Sequence, residues 1–131
     1  MIDVQAMFPV MVVNDLELLK QFYEKVFGFS TVFYEAGFYL HLIAPDRDVQ
    51  LGFLVTNHPS QPDFLHARMA VEGYVISLEV ADARNAYQQA KDLGLDVAMP
   101  LKTETWGQTH FIVQDPAGIY IDIVEHAEAK D

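Results

Sequence analysis

Two side chains in the second half of the chain are of the types that perform acid–base chemistry. His110 directly precedes Phe111 in an apolar run, and Asp122 stands between Ile121 and Ile123. Because successive side chains of a strand point to opposite faces, His110 faces away from the core if Phe111 packs beneath a helix. An imidazole and a carboxylate on neighbouring strands could bind a ligand or act as acid and base. Alternatively, Asp122 is a hydrogen-bonded or half-exposed acid with only a structural role, which the same sequence pattern allows.

Other catalytic groups are missing from the sequence. There is no cysteine, which excludes a disulfide framework, a thiolate nucleophile and sulfur ligands for zinc. None of the five histidines stands in an H-x-H or H-E-x-x-H spacing, and no glycine-rich phosphate loop or G-x-S-x-G turn occurs. The sequence therefore predicts neither acyl transfer nor nucleotide-dependent chemistry.

Two aromatic side chains lie close in sequence to the polar pair. Trp106, the only tryptophan, follows three polar residues and precedes Gly107. In that place it could form the floor of a pocket or cap the core. Tyr120 shares its strand face with Asp122. We expect Trp106, His110, Tyr120 and Asp122 to contact a bound ligand.

The charge of the chain restricts its partners. The net charge is −11, from 19 acidic and 8 basic residues. This field repels nucleic acid and anionic membrane and weakly favours a cationic ligand, although acidity can also serve solubility alone. No apolar run approaches the ~18 residues of a membrane span, and the first residues lack the pattern of a secretory signal. We expect a cytoplasmic protein with no nucleic-acid or membrane partner.

The elements that position these groups follow from hydrophobic patterns. In the first half, a buried strand at Met7–Val13 precedes a helix with Asn14 as its cap and Gly28 at its end. Three strands then follow, predicted at Phe29–Glu35, Phe38–Ile43 and Val49–Val55. Turns are expected at Ala36-Gly37 and at Pro45–Asp48. The first half therefore has the order βαβββ.

The same order returns after a connector at about 57–73, in which we predict a short helical turn around Phe64–Met69. A strand at Tyr74–Val80 precedes a helix capped by Asp82 and ended by Gly94. Three more strands are predicted at Val97–Lys102, Trp106–Gln114 and Ile119–Glu125, the last two joined by a turn at Asp115–Gly118. The second half is again βαβββ.

This internal repeat predicts the fold class. Asp15 stands 13 residues before Gly28, and Asp82 stands 12 before Gly94. We predict an α+β fold of two tandem βαβββ modules, at about 5–56 and 74–126, within a single domain. Its strands would form an open, curved mixed sheet around a cavity, which is the natural place for a ligand.

Several of these residues also resemble a known family. The runs Phe8–Asp15, Phe22-Tyr23 and Phe27–Phe29 resemble the opening of a module of the glyoxalase / bleomycin-resistance / dioxygenase superfamily, also called vicinal oxygen chelate proteins. The run Trp106–Gly118, followed by Ile121–Glu125, resembles the close of one. The resemblance covers essentially the whole chain and implies the same double βαβββ fold.

The resemblance also implies where a metal would sit. Enzymes of this superfamily hold one divalent ion through four side chains, usually His, Gln or Glu, from the first and last strands of each module. The corresponding positions are Phe8, Val75, Asp122 and about Gly52, or Gln50 if the register shifts. Of Phe8, Val75, Asp122 and Gly52, only Asp122 has a side chain that can bind a metal, whereas a catalytic ion needs about three protein ligands. The resemblance therefore implies no metal cofactor, and we expect Phe8 and Val75 to line the ligand site instead.

The superfamily includes metal-free bleomycin-resistance proteins, which sequester a cationic drug in a crevice, commonly as dimers. The resemblance thus implies a small-molecule-binding protein of the antibiotic-resistance type. Its ligand would be cationic or aromatic and held in the cavity between the modules, and the protein would be a homodimer. Two enzymatic alternatives stay open. One is a glyoxalase-like, metal-dependent lyase, isomerase or dioxygenase that uses His110, Asp122 and another His or Gln50. The other is a metal-independent enzyme with His110 and Asp122 as acid and base.

Overall fold

The computed structural model describes residues 1–45 and 48–126. They form two compact units, one spanning Met1–Ala70 and one that starts at Val71. Each unit contains one helix and one four-stranded mixed sheet. No helix within the described ranges is long and apolar enough to cross a lipid bilayer.

The first unit has the predicted order βαβββ. Its elements are β1 (Val10–Val13), α1 (Leu16–Phe27), β2 (Ser30–Glu35), β3 (Tyr39–Ile43) and β4 (Gln50–Val55). The sheet order is β1-β4-β3-β2, in which β1 runs parallel to β4 and the other pairs are antiparallel. The sheet is open, with β1 and β2 at its two edges.

Helix α1 begins one residue later than the capping pattern indicates. The cap is Asp15 and not Asn14, because Asp15 has the extended backbone of a cap and its carboxylate accepts the amide hydrogen of Glu17 at 2.9 Å. At the other end, Gly28 adopts the left-handed conformation with φ 70°, as predicted. Two adjacent polar residues therefore made the position of the cap ambiguous in the sequence, while the glycine marked the helix end correctly.

The core of the first unit lies between α1 and one face of its sheet. On the helix, Leu19 and Tyr23 are fully buried. On the sheet, every second residue of the two central strands faces the helix and is buried, namely Leu40, Leu42, Leu51 and Phe53. We call the opposite sheet face the helix-distal face.

The second unit repeats this architecture. Its elements are β5 (Ile76–Glu79), α2 (Ala83–Asp92), β6 (Asp96–Thr103), β7 (Gln108–Gln114) and β8 (Tyr120–His126), in the sheet order β5-β8-β7-β6. Strand β5 is parallel to β8, as β1 is to β4. The prediction of an α+β fold with two βαβββ modules is confirmed. The single domain and the cavity between modules stay predictions.

Two strands of the second unit start two residues later than predicted. Strand β5 begins at Ile76 and not at Tyr74, and β7 begins at Gln108 and not at Trp106. The delay in β7 arises because Gly107 has a φ of 100°, which breaks the extended backbone. Trp106 therefore lies in the β6–β7 turn and not within a strand.

The turn between β7 and β8 shows why its sequence is Asp-Pro-Ala-Gly. The buried Asp115 carboxylate accepts the amide hydrogens of Ala117 at 2.8 Å and Ile119 at 3.0 Å. Gly118 provides the required positive φ of 84°. The carboxylate thus replaces backbone partners that the turn cannot supply. In the corresponding turn of the first unit, Asp46 and Arg47 lie outside the described residues.

The connector packs against the first unit. It contains one 3-10 turn at Asp63–Leu65, earlier and shorter than the helical turn predicted at Phe64–Met69. The amide of Met69 donates to the carbonyl of Val12 at 2.9 Å, which continues hydrogen bonding along the outer edge of β1. The first unit therefore extends through most of the connector.

Candidate functional site

His110 lies on the helix-distal face of the second sheet. Its strand neighbour Phe111 is fully buried and contacts the ring of Tyr87 on α2, with ring centroids 5.0 Å apart. Alternation along β7 therefore directs His110 to the opposite face, together with Asp122 on β8. The strand alternation inferred from the sequence for His110 and Asp122 is thus confirmed.

Both ring nitrogens of His110 contact a carboxylate. Nδ1 lies 2.8 Å from Oδ1 of Asp122, and Nε2 lies 2.8 Å from Oε2 of Glu104. The same Glu104 oxygen accepts from the Lys102 ammonium at 3.0 Å. We call these four residues the His110 cluster. Because the His110 side chain is only 10% exposed, its hydrogen bonds are partly shielded from water.

The cluster favours the doubly protonated form of His110. Ionised carboxylates only accept hydrogen bonds, so both ring nitrogens must donate. The hydrogen bond to Glu104 raises the pKa of His110 above its ordinary value; burial opposes this, and the hydrogen bond to Asp122 adds to it. In turn, hydrogen bonds from His110 and Lys102 hold the pKa of Glu104 below its usual range. With Lys102 included, two positive and two negative charges balance.

The two aromatic candidates lie in different elements of the second unit. Trp106 lies two residues after Glu104 in the β6–β7 turn and is 68% exposed. Tyr120 is half-buried at the start of β8, on the same strand face as Asp122. Glu104 was not singled out in the sequence, because it belongs to a polar turn and its contact with His110 depends on how that turn folds.

The equivalent positions in the first unit hold different side chains. Gly52 and Asp122 are each the third residue of the last strand, so matching of the two turns gave the correct pair. By the same strand register, Tyr39 corresponds to His110. A side chain at Gly52 would collide with the Tyr39 hydroxyl. The place of the carboxylate in the second unit is therefore filled by a phenol in the first.

A hydrogen-bond chain without a carboxylate, which we call the Tyr39 cluster, lies on this first helix-distal face. The hydroxyl of Tyr39 is 2.8 Å from Nδ1 of His41, and Nε2 of His41 is 2.6 Å from Oε1 of Gln50. The Gln50 oxygen can only accept, so Nε2 of His41 donates to it, whereas the Tyr39 hydroxyl can either donate to Nδ1 or accept from it. Both ring nitrogens of His41 are thus engaged, by the uncharged side chains of Tyr39 and Gln50.

Phe8 and Val75 lie just before the first strand of each unit. Phe8 is 41% exposed and its ring meets His41 edge-on, with centroids 4.6 Å apart, while Val75 is 45% exposed. The residues that pair directly with Gly52 and Asp122 are Val10 and Ser77, two positions later in both units. Neither Val10 nor Ser77 adds an imidazole or a carboxylate.

The side chains at the family's metal positions do not fit a divalent ion. Phe8 and Val75 have no donor atom, Gly52 has no side chain, and Asp122 already accepts from His110. Within the described ranges, no group of three or more His, Asp or Glu side chains is arranged to hold a metal. A catalytic ion needs about three protein ligands, and these four positions offer only the Asp122 carboxylate. The absence of a metal cofactor stays a prediction.

The remaining histidines have partners of their own. His58 hydrogen bonds to Ser60 at 2.7 Å and stacks near Phe38, and His66 contacts the carbonyl of Gln61 at 2.7 Å. Both are half-buried, less open to solvent than their place in the connector indicates. His126 is exposed and lies 2.7 Å from Glu79.

Comparison with known proteins identifies the family. A family model described as the Glyoxalase/Bleomycin resistance protein/Dioxygenase superfamily matches residues 6–123. The chain belongs to this superfamily. The match covers both βαβββ modules and therefore confirms the resemblance seen in the sequence. No curated protein matches the chain.

Solved structures of the superfamily share the fold. A member from Sphaerobacter thermophilus is 23% identical over 95% of this chain and 98% of its own, with a TM-score of 0.74. Lactoylglutathione lyase from Agrobacterium tumefaciens is 20% identical, covers 94% of both chains and has a TM-score of 0.74. The bleomycin resistance determinant encoded on transposon Tn5 is 22% identical over 94% of this chain and 98% of its own, with a TM-score of 0.65. At these identities the likeness is one of fold, and function depends on the site.

Proposed function

We propose that this chain is a small-molecule-binding protein of the glyoxalase / bleomycin-resistance superfamily that needs no metal. Its ligand contacts the helix-distal face of the second sheet, around His110, Asp122, Tyr120 and Trp106. The supporting observation is that both ring nitrogens of His110 already contact carboxylates, at 2.8 Å each. A doubly protonated imidazole has no lone pair for a metal and cannot accept a proton.

The ligand class follows from the exposed aromatic side chains and the overall charge. Trp106 offers an indole that is 68% exposed and could stack on a planar group. The net charge of −11 raises the local concentration of cations. A planar, cationic molecule combines both features. The similarity to the bleomycin resistance determinant makes bleomycin a suitable first probe.

Metal content is the first test. The protein is purified without chelator and without a metal-affinity tag, and Ni, Zn, Mn and Fe are measured by mass spectrometry. We expect far less than one equivalent of any metal per chain. About one tightly held ion per chain, lost in Asp122→Asn, would overturn the metal-free proposal in favour of a metal-dependent lyase, isomerase or dioxygenase.

Calorimetric titration with metal-free bleomycin tests the ligand class. We expect binding to wild type and a large loss of affinity in Trp106→Ala. Phe64→Ala is the matched control, because Phe64 is an aromatic residue that is 84% exposed in the connector, away from the His110 cluster in sequence. Equal affinity in the two variants would remove Trp106 from the site, and no binding to wild type would exclude this cationic, aromatic probe.

A second candidate function is a metal-independent acid–base enzyme that uses the 2.8 Å contact between His110 and Asp122. It requires His110 to lose a proton and one of its carboxylate bonds during turnover. Screening for turnover of small carbonyl substrates, with a folded His110→Ala variant as control, tests it. Activity abolished only in the variant would favour the enzyme.

The proposal includes a cytoplasmic homodimer. Light scattering on the purified full chain measures its mass, and twice the 14.8 kDa of one chain is expected. A monomer over the whole concentration range would contradict the dimer without affecting the ligand site of the second unit.

A further inference from the structure

Glu104 links the β6–β7 turn to the sheet through its side chain. It follows the last residue of β6, Thr103, and its carboxylate reaches Nε2 of His110 on β7 at 2.8 Å. The Glu104 side chain is 15% exposed, although it belongs to a turn. The hydrogen bond to His110 thus holds the Glu104 side chain, which belongs to the turn, against the sheet.

The same turn holds Trp106 between two backbone hydrogen bonds. The amide of Glu104 donates to the carbonyl of Gln108 at 2.7 Å, and the amide of Gly107 donates to the carbonyl of Glu104 at 3.1 Å. Because Trp106 is 68% exposed, most of its surface is not held by packing. Its position is therefore determined mainly by the turn that contains it.

We propose that Glu104 is a positioning residue, whose hydrogen bond to His110 holds the β6–β7 turn and thereby sets where Trp106 stands relative to His110 and Asp122. The proposal rests on the proposed function only in assigning Trp106 a ligand contact. The positioning itself is a property of the ligand-free protein.

His110 is a better anchor for Glu104 than Lys102 is. The Lys102 side chain is 52% exposed, so its attraction to Glu104 is screened by water. His110 is 10% exposed and is held from its other side by Asp122 at 2.8 Å. A partner that is already ordered loses little further freedom on forming the second bond. The bond to His110 is therefore the one that restrains the turn.

The second sheet also offers a matched control pair. Glu79 on β5 lies 2.7 Å from Nε2 of His126 on β8, so it is another carboxylate–histidine contact in the same unit. Its side chains are 71% and 48% exposed, and neither belongs to the β6–β7 turn. Removal of this carboxylate should leave Trp106 where it is.

The experiment compares Glu104→Ala, Glu104→Gln and Glu79→Ala without ligand. Amide hydrogen exchange at positions 104 and 107 reports on the turn, and fluorescence anisotropy reports on Trp106, the only tryptophan. In Glu104→Ala we expect faster exchange at both amides and lower anisotropy. Glu104→Gln retains an oxygen acceptor for His110 and should restore part of both signals, and Glu79→Ala should match wild type.

Titration of the His110 ring by NMR separates positioning from general destabilisation. Loss of Glu104 should shift the His110 titration to lower pH, and thermal unfolding shows whether each variant is folded. Unchanged exchange and anisotropy in a folded Glu104→Ala variant would overturn the proposal. Equal changes in Glu79→Ala would overturn it as well.

Bleomycin titration of the same variants distinguishes this proposal from the proposed function. A looser turn with weaker binding supports both. A looser turn with unchanged binding keeps Glu104 as a positioning residue and removes the ligand contact assigned to Trp106. A looser turn with no binding even in wild type keeps Glu104 as a positioning residue and excludes bleomycin as the ligand.

Discussion

The helix-distal faces of the two sheets share one backbone register and differ in charge. The second unit has an ionic His110 cluster, whereas the first has a Tyr39 cluster without any carboxylate at corresponding strand positions. Two positions account for most of the difference. Tyr39 of the first unit corresponds to His110 of the second, and Gly52 corresponds to Asp122. Two copies of one fold can therefore share the same backbone hydrogen bonds between strands while only one of them carries a histidine–carboxylate cluster.

Truncation of the central histidine of each face should show the largest difference. His110→Ala removes two charge-assisted hydrogen bonds and leaves two carboxylates facing each other, which should cost about 2–3 kcal/mol. His41→Ala removes two neutral hydrogen bonds and should cost about 1–2 kcal/mol. Urea unfolding measures both free energies. A larger loss for His41→Ala would contradict the assignment of the stronger network to the second unit.

A side chain at Gly52 should be tolerated poorly. An added Cβ would collide with the Tyr39 hydroxyl and lie 3.1 Å from Cγ2 of Val10, so Gly52→Ala should cost about 2 kcal/mol by overpacking. The same change in a Tyr39→Phe background should cost less, because the colliding hydroxyl is gone. Gly37→Ala is the control, since an added Cβ there has no atom within 4 Å. Equal costs in both backgrounds would mean that Tyr39 does not fill this space.

Stability should depend on pH through His110. Because its pKa is raised in the folded chain, its contribution is fully present below the ordinary value of about 6.5 and is lost as pH rises through the raised pKa. His110→Gln should flatten this part of the pH profile. Urea unfolding at several pH values tests this, and an unaltered profile in His110→Gln would refute the role of His110.

The smallest effect is expected at the exposed Glu79–His126 pair. Its side chains are 71% and 48% exposed, so Glu79→Ala should change the free energy of unfolding by less than about 1 kcal/mol. Added salt should reduce the difference further. If Glu79→Ala costs as much as His110→Ala, burial does not explain the difference in strength between the two histidine–carboxylate contacts.

The fold could be predicted because its signals are local. A glycine with positive φ lies one or two residues after the last residue of each helix, and Asp115 forms its turn with nearby amides. The strand faces of His110 and Asp122 followed from alternation alone. By contrast, the contact between Glu104 and His110 depends on the path of a turn, and the choice of Asp15 over Asn14 depends on one backbone torsion. Neither leaves a periodic pattern in the sequence.

The parallel strand pair in each unit has a consequence for folding kinetics. Val10 pairs with Gly52, 42 residues later, and Ile76 pairs with Ile121, 45 residues later. Closing a loop of that length costs conformational entropy before any contact compensates for it, whereas the antiparallel hairpins close over a few residues. We expect β1 and β5 to join their sheets late. Substitutions in these strands should then accelerate unfolding more than they slow folding.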